Sequence, residues 1–223
     1  MIYVFTDLEF GRHFLKSISR LRERHAAEIT VVLSGKRGWP QALMARLKSR
    51  LRWSISKWRD ARRLSSELGV QVMVVDDINT RAMRQRIDPH DHGFVAGFNQ
   101  IFKAGTIRRF QSLVNCHPSL LPYYRGPVPS YWCLLHGETA TGYTFHRISE
   151  AIDQGEILCQ EVVPIAEADT PAQLNARITA PAAAKFEAYL LSLLGERAFE
   201  RSSVNAGAVY KHRVDYKSFP AQG

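Results

Sequence analysis

Residues 2–35 read IYVFTDLEFGRHFLKSISRLRERHAAEITVVLSG, and two patterns in this stretch decide the fold class. Ile2 to Phe5 is a short uninterrupted apolar run, the mark of a strand buried on both faces. After a polar turn, Phe14, Leu15, Ile18 and Leu21 recur at helical spacing. Ile29 to Leu33 restores the strand signal and stops at Ser34-Gly35. Strand, helix and strand in this order open a βαβ unit. Val70 to Val75, Phe94 to Phe98 and Leu113 to Cys116 read as three further strands, with helical stretches between most of them. The alternation predicts an α/β fold, a mostly parallel sheet with helices on both faces.

The chain then changes character. Pro118, Pro122, Gly126, Pro127 and Pro129 crowd into one stretch, which reads as an ordered loop or lid. Thr141 to Ile148 and Ile157 to Ile165 look like a strand pair. Thr170 is the expected N-cap of a long helix with Pro171 at its first position, running to about Leu194. From Gly195 onward periodicity is weak, although Val209, Tyr210 and Tyr216 are placed to return to the body. The expected organisation is one domain over residues 1–194 and a C-terminal extension over 195–223. No internal repeat or low-complexity segment interrupts it.

Composition bounds the function classes. The chain has 223 residues, 30 Lys+Arg against 21 Asp+Glu, and 45% hydrophobic residues, enough for a real core and unlike a disordered chain. Its formal net charge of +9 is confined to Lys36–Arg63, which holds ten basic residues and one acid, Asp60; the remainder is electroneutral. Trp39, Trp53 and Trp58 fall in the same segment. It reads first as an amphipathic helix pair with Leu43, Leu47 and Leu51 on the buried side, second as a nucleotide or pyrophosphate site, and third as a nucleic-acid surface. Three cysteines (Cys116, Cys133, Cys159) and a start without a leader pattern predict a reduced, cytoplasmic protein. No apolar stretch is long enough to span a membrane. Asp88-Pro89-His90-Asp91-His92-Gly93 reads as a solvated turn, and no metal is expected.

The stretch that carries chemistry is Asn115-Cys116-His117-Pro118-Ser119-Leu120-Leu121-Pro122. Asn115 and His117 lie two apart at a strand end, so both side chains emerge on one face while Cys116 points to the other. Ligands of open α/β sheets bind at that carboxyl edge. Asp153, in Ile152-Asp153-Gln154-Gly155, is the third member, with the glycine permitting a tight turn and a close approach of backbone to ligand. An Asn amide, with or without a protonated His, stabilises an oxyanion. A carboxylate beside the His raises its pKa and helps remove a proton from an attacking amine. The trio therefore suits acyl transfer to an amine, with no nucleophilic side chain required. His146, two residues after Thr144, either makes a structural hydrogen bond or contacts the acceptor.

These motifs resemble the 10-formyltetrahydrofolate-dependent formyltransferases. The resemblance lies in Asn115 to Pro127, Gly137-Glu138, Thr141 to His146 and Asp153 to Leu158; it is close over 93–165 and loose elsewhere. It implies a Rossmann-like fold, with Asn115, His117 and Asp153 as the catalytic trio. The segment Gly97-Phe98-Asn99-Gln100-Ile101-Phe102 would hold the pterin of the formyl donor. Ser119, Leu120, Leu121 and Pro122 would form the loop at the folate cleft, and Ile148 to Asp153, including Ile152, the loop over the pterin's polar edge. Arg125, Gly126, Tyr131 and Trp132 would border the acceptor.

The acceptor is the harder question. Family members acting on glycinamide ribonucleotide carry a Gly-Ser-Asn loop where this chain has Thr6-Asp7-Leu8-Glu9-Phe10, which disfavours that acceptor. Members acting on initiator tRNA carry a second C-terminal domain, which the residues after Leu194 are too few to build. The wording of His117-Pro118-Ser119, Arg125-Gly126-Pro127-Val128-Pro129 and Thr144-Phe145-His146 ranks a nucleotide-linked amino sugar first. The rivals are an aminoacyl-tRNA or another small amine, hydrolysis of 10-formyltetrahydrofolate, and an RNA-binding module using residues 36–63. No periodic apolar seam defines an oligomer interface.

Overall fold

The computed structural model describes residues 1–25, 27–35 and 47–212. The chain forms two compact units, Met1–Leu113 and Val114–Gly223. Among the described residues, seven strands, β1 (Ile2–Thr6), β2 (Ile29–Ser34), β3 (Gln71–Val75), β4 (His92–Ala96), β5 (Ser112–His117), β6 (Ala140–Arg147) and β7 (Ile157–Pro164), make a mostly parallel sheet in the order β3-β2-β1-β4-β5-β6-β7.

In the first unit, β1 (Ile2–Thr6) is buried along its whole length and pairs in parallel with β2 (Ile29–Ser34) on one side and β4 (His92–Ala96) on the other. This explains the unbroken apolar runs, since a central parallel strand has no solvent face. Strand β3 (Gln71–Val75) pairs with β2 and is only half buried. Helix α1 (Arg12–Arg24) turns Phe14, Leu15, Ile18 and Leu21 into the core. Helices α3 (Arg81–Arg86) and α4 (Ala104–Ile107) are short connectors. Phe5 is fully buried, with Phe98, Phe102 and Phe110 rings 5.1–5.9 Å from it; a buried ring of this kind stabilises by about 2–3 kcal/mol.

Helix α2 (Leu47–Leu68) lies in the basic segment. Toward its end Ala61 and Leu64 are buried while Arg59, Arg62 and Arg63 face outward, and Arg63 Nε contacts Glu67 at 2.7 Å. This half is amphipathic, and Trp58 is 55% exposed and takes no part in the core. Lys36 to Arg46, including Trp39 and Leu43, lie outside the described residues, as do the side chains of Leu47, Leu51 and Trp53 and the whole of Tyr216. The Asp88–Gly93 stretch is a turn: the Asp88 and Asp91 carboxylates accept from the His90 and Asp88 N–H groups, at 2.9 and 2.8 Å.

In the second unit, β5 (Ser112–His117), β6 (Ala140–Arg147) and β7 (Ile157–Pro164) pair antiparallel in turn. The proline-rich segment contains a helix, α5 (Pro129–Leu135), with Pro129 at its first position. Helix α6 (Pro171–Leu193) starts in a capping box, in which the Thr170 Oγ1 accepts from Gln173 N–H and the Gln173 side chain returns to Thr170 N–H. Residues 195–212 belong to this unit. Gln160 N–H donates to the Ser202 carbonyl at 3.0 Å, and α7 (Ala206–Val209) leads to a buried Tyr210. Residues 195–212, the described part of the expected extension, thus pack within the second unit. Among the described residues no helix is long and apolar enough to cross a membrane.

Candidate active site

Antiparallel pairing sets Asn115 opposite His146 and His117 opposite Thr144. Directly opposed residues share a face, so the alternation that presents Asn115 and His117 together also brings in His146 and Thr144. The β6–β7 register shifts between Phe145 and His146, a bulge at the point where β6 must aim a side chain into the site. Cys116 is buried on the opposite face, and burial pushes its thiol up, so it stays protonated.

Asp153 arrives from the loop between β6 and β7. Arg147 N–H donates to the Glu156 carbonyl at 2.9 Å and closes this loop. A Cβ on Gly155 would stand 1.7 Å from the Arg147 carbonyl oxygen, so only glycine fits. The close approach that this glycine allows is therefore to the strand backbone. Asp153 itself holds φ 51°, a left-handed conformation uncommon outside glycine, in which Asn and Asp are enriched among the other residues. Its Oδ2 accepts the Gly126 N–H at 2.8 Å and lies 3.5 Å from His117 Nδ1, while Oδ1 lies 3.5 Å from His146 Nε2.

The hydrogen bonds fix both imidazoles. His117 Nε2 lies 2.8 Å from the Tyr124 carbonyl, which only accepts, so Nε2 carries a proton. When the ring is neutral, Nδ1 is then the lone-pair nitrogen facing Asp153. His146 Nδ1 likewise donates to the Arg147 carbonyl at 3.0 Å, and its Nε2 accepts from Asn115 Nδ2 at 3.1 Å. That contact orients the Asn115 amide and leaves its second N–H for a ligand oxygen.

Burial would raise the Asp153 carboxyl, but the neighbouring His117 and His146 imidazoles and the Gly126 N–H outweigh it and hold the acid well below the usual carboxylate range. For His117 burial wins: it pushes the imidazole down, and the Asp153 carboxylate and the Tyr124 carbonyl offset it only in part. The 3.5 Å spacing also exceeds that of a charge-assisted hydrogen bond. The resting site at neutral pH therefore pairs an ionised Asp153 with a neutral His117. The carboxylate does raise the His117 pKa, as expected, but burial outweighs it.

Thr144 anchors the loop after β5. Its Oγ1 accepts from Leu121 N–H at 3.0 Å and donates to the Ser119 carbonyl at 2.7 Å, and Gln160 Nε2 donates to Leu121 O at 2.8 Å. The side chains of Ser119, Leu120 and Leu121 are buried in the protein, so this loop offers a ligand its backbone and the exposed Pro122. Arg125 and Trp132 are half-buried, Tyr131 is 45% exposed, and Gly126 serves Asp153 directly. Ile148 and Ile152 lie on the Asp153 loop, Ile152 at 41% exposure.

Phe98 to Phe102 belong to the first unit. Gly97, at φ 72°, ends β4 and turns the chain. Phe98 and Phe102 pack on Phe5. The Gln100 amide donates to Ser34 Oγ and the Val75 carbonyl and accepts from Ile78 N–H. The Gln100 and Phe102 side chains are thus committed to the protein, which leaves their backbone for the ligand expected along this segment. Asn99 and Ile101 are exposed, Ile101 at 69%. The residues that the sequence left unassigned are Tyr124 and Glu138. The role of His146 was open, and its position two residues after Thr144 was the available signal.

Residues 10–190 match the family model for formyl transferase. Among curated proteins, a methionyl-tRNA formyltransferase from Syntrophus aciditrophicus is 48% identical over 83 residues, 36% of this chain and 26% of that protein. A GDP-perosamine N-formyltransferase from Brucella melitensis is 38% identical over 109 residues, 45% of this chain and 42% of that protein. The matched stretches thus span less than half of these relatives. Among solved structures, an N-formyltransferase from Helicobacter canadensis, in complex with folinic acid and dTDP-3-aminofucose, shares the fold with a TM-score of 0.65. It is 19% identical, covering 94% of this chain and 69% of the other.

Proposed function

Because the chain belongs to the formyl transferase family, we propose that it moves a formyl group from 10-formyltetrahydrofolate, as co-substrate, to the primary amine of a nucleotide-linked amino sugar. The observation that carries this reading is the cluster of Asn115, His117, His146 and Asp153 on one face, with the tautomers described above. The donor supplies an activated formyl group. The second Asn115 N–H donates to the formyl oxygen as negative charge develops there, in a site that excludes much of the water. His117 Nδ1 accepts the proton that the attacking amine releases, and Asp153 stabilises the resulting imidazolium. The same proton returns from Nδ1 to the leaving nitrogen as the donor's carbon–nitrogen bond breaks. His146 acts through Asn115, orienting its amide.

We assign the groups that touch donor, acceptor or reacting atoms to residues 1–194. The backbone of Phe98–Phe102 with Asn99 and Ile101, the Ser119–Pro122 backbone, and Ile148 and Ile152 would hold the donor. Arg125, Tyr131 and Trp132 would border the acceptor. The amino sugar ranks first on motif wording and on the GDP-perosamine relative. The methionyl-tRNA relative supports an aminoacyl-tRNA acceptor as the second reading.

The test is to incubate the purified protein with 10-formyltetrahydrofolate and, separately, a panel of nucleotide-linked amino sugars and initiator methionyl-tRNA, scoring formylated product by mass spectrometry. Product from a sugar confirms the first reading and product from the tRNA alone confirms the second. Rapid formate release without any amine would show a hydrolase and overturn both.

A further inference from the structure

Tyr124 is the point at which the reacting histidine meets the end of the described chain. It is fully buried, yet it holds φ 55°. A non-glycine residue in this conformation is disfavoured by about 1–2 kcal/mol and persists only where its surroundings compel it. Here the compulsion is visible. The Tyr124 hydroxyl donates to Glu138 Oε1 at 2.8 Å and lies 3.1 Å from His136 Nδ1, and its ring packs 4.7 Å from that of Tyr210. The left-handed turn of its backbone accompanies a carbonyl that accepts from His117 Nε2 at 2.8 Å and from Ser119 Oγ at 3.3 Å.

Glu138 is in turn held from the tail. The N–H groups of Lys211 and His212 each donate to its carboxylate at 2.8 Å. Burial alone would raise this acid, but those two donors and the Tyr124 hydroxyl bring it below its ordinary value, so it remains an acceptor. The tail also grips the loop directly, because the Tyr210 hydroxyl accepts from Leu120 N–H at 2.8 Å and bonds Thr141 Oγ1 at 2.8 Å. Every one of these contacts lies in the second unit.

We propose that Tyr124 is a positioning residue for His117, and that Glu138 together with residues 210–212 forms the clamp that keeps the Tyr124 carbonyl on the imidazole. The clamp selects the Nε2–H tautomer and so leaves Nδ1 as the nitrogen that exchanges protons. Residues 210–212 are then a working part of the site, although they touch none of the reacting atoms. The kinetic part of this inference rests on the formyl-transfer reading, whereas the tautomer part does not.

The experiment is nitrogen-15 NMR of the histidine side chains in the full chain, with the His117 signals assigned by a His117→Gln variant. The wild-type protein is expected to show His117 as the Nε2–H tautomer; a neutral Nδ1–H form overturns the proposal with no variant needed. Tyr124→Phe removes one hydroxyl and leaves Glu138 its two backbone donors, so the fold is expected to stand. Glu138→Gln is the second arm, an isosteric change that replaces one accepting oxygen by an amide. In either folded variant the Nδ1–H tautomer should become populated. kcat should fall about ten- to a hundredfold with KM within about twofold, the pattern of a displaced catalytic group. Folded variants that retain both the wild-type tautomer and the wild-type kcat overturn the clamp. A tautomer change in a protein that formylates nothing would leave the clamp standing and remove the formyl-transfer reading instead.

Discussion

Replacing Asp153 by Asn keeps the shape of the side chain and the bond it accepts from Gly126, and removes one negative charge 3.5 Å from His117 Nδ1. The resting imidazole is neutral, so the change should be felt when His117 acquires the amine's proton. Two unit charges at that distance interact by about 5 kcal/mol at the effective dielectric of roughly 20 suited to protein sites. At about 1.4 kcal/mol per decade, kcat should fall by about three orders of magnitude. Substrate binding precedes the proton's arrival, so KM should move little. Single-turnover formyl transfer, followed as formylated amine against time at saturating donor, measures the effect. An NMR titration of His117 provides a check independent of the acceptor. Burial already pushes this imidazole down and Asp153 opposes it, so Asp153→Asn should lower its pKa further. A folded Asp153→Asn protein turning over within tenfold of wild type would refute the assignment of the proton to His117 Nδ1.

Three further predictions concern folding. Gly155→Ala sets a methyl group against the Arg147 carbonyl, 1.7 Å from its oxygen, and should destabilise by roughly 3 kcal/mol or more. Calorimetry should show the midpoint lower by about 6 °C or more, and an unchanged midpoint would contradict the loop geometry. Burial lowers the folded-state pKa of His117 below the ordinary 6.5, so the unfolded chain binds a proton there that the native one refuses. Stability should then fall as pH drops below about 6.5 and be insensitive to this group above it. Urea titrations of His117→Asn should lack that part of the slope, and identical slopes would place the imidazole in solvent. Thr170→Ala removes the acceptor of the α6 capping box and should lower stability by about 1 kcal/mol, read as a shift of the urea midpoint at constant slope.

Much of the architecture was legible because central strands such as β1 are buried on both faces and read as unbroken apolar runs. Where the reading went astray, hydrophobicity served something other than a strand. Phe98 extends the apolar run of β4, but Gly97 at φ 72° has already turned the chain, and the ring serves the cluster around Phe5. Pro129 counted as a breaker, although its fixed φ suits the first position of a helix, where it starts α5. In the site, Asn115 and His117 were visible from the period of two within one strand. The bonds of His146 needed the β5–β6 register and a bulge, neither of which a single strand's pattern encodes. Tyr124 and Glu138 depend on donors from Lys211 and His212, more than seventy residues away in the chain, and no local signal announces such a partnership.

Three residues other than glycine hold positive φ among the described residues, Tyr124, Val128 and Asp153, and all lie in the second unit. Val128 is branched at Cβ and 60% exposed, so relief by Gly or Asn there would meet little packing resistance. A campaign that selected variants for heat resistance alone would therefore be drawn to this neighbourhood first. Each gain at Asp153 would erase a charged group, and each at Tyr124 would loosen the clamp. Thermal robustness and turnover should consequently pull in opposite directions at two of these positions. At Val128 alone they are free to improve together, which makes it the natural place to begin hardening the protein.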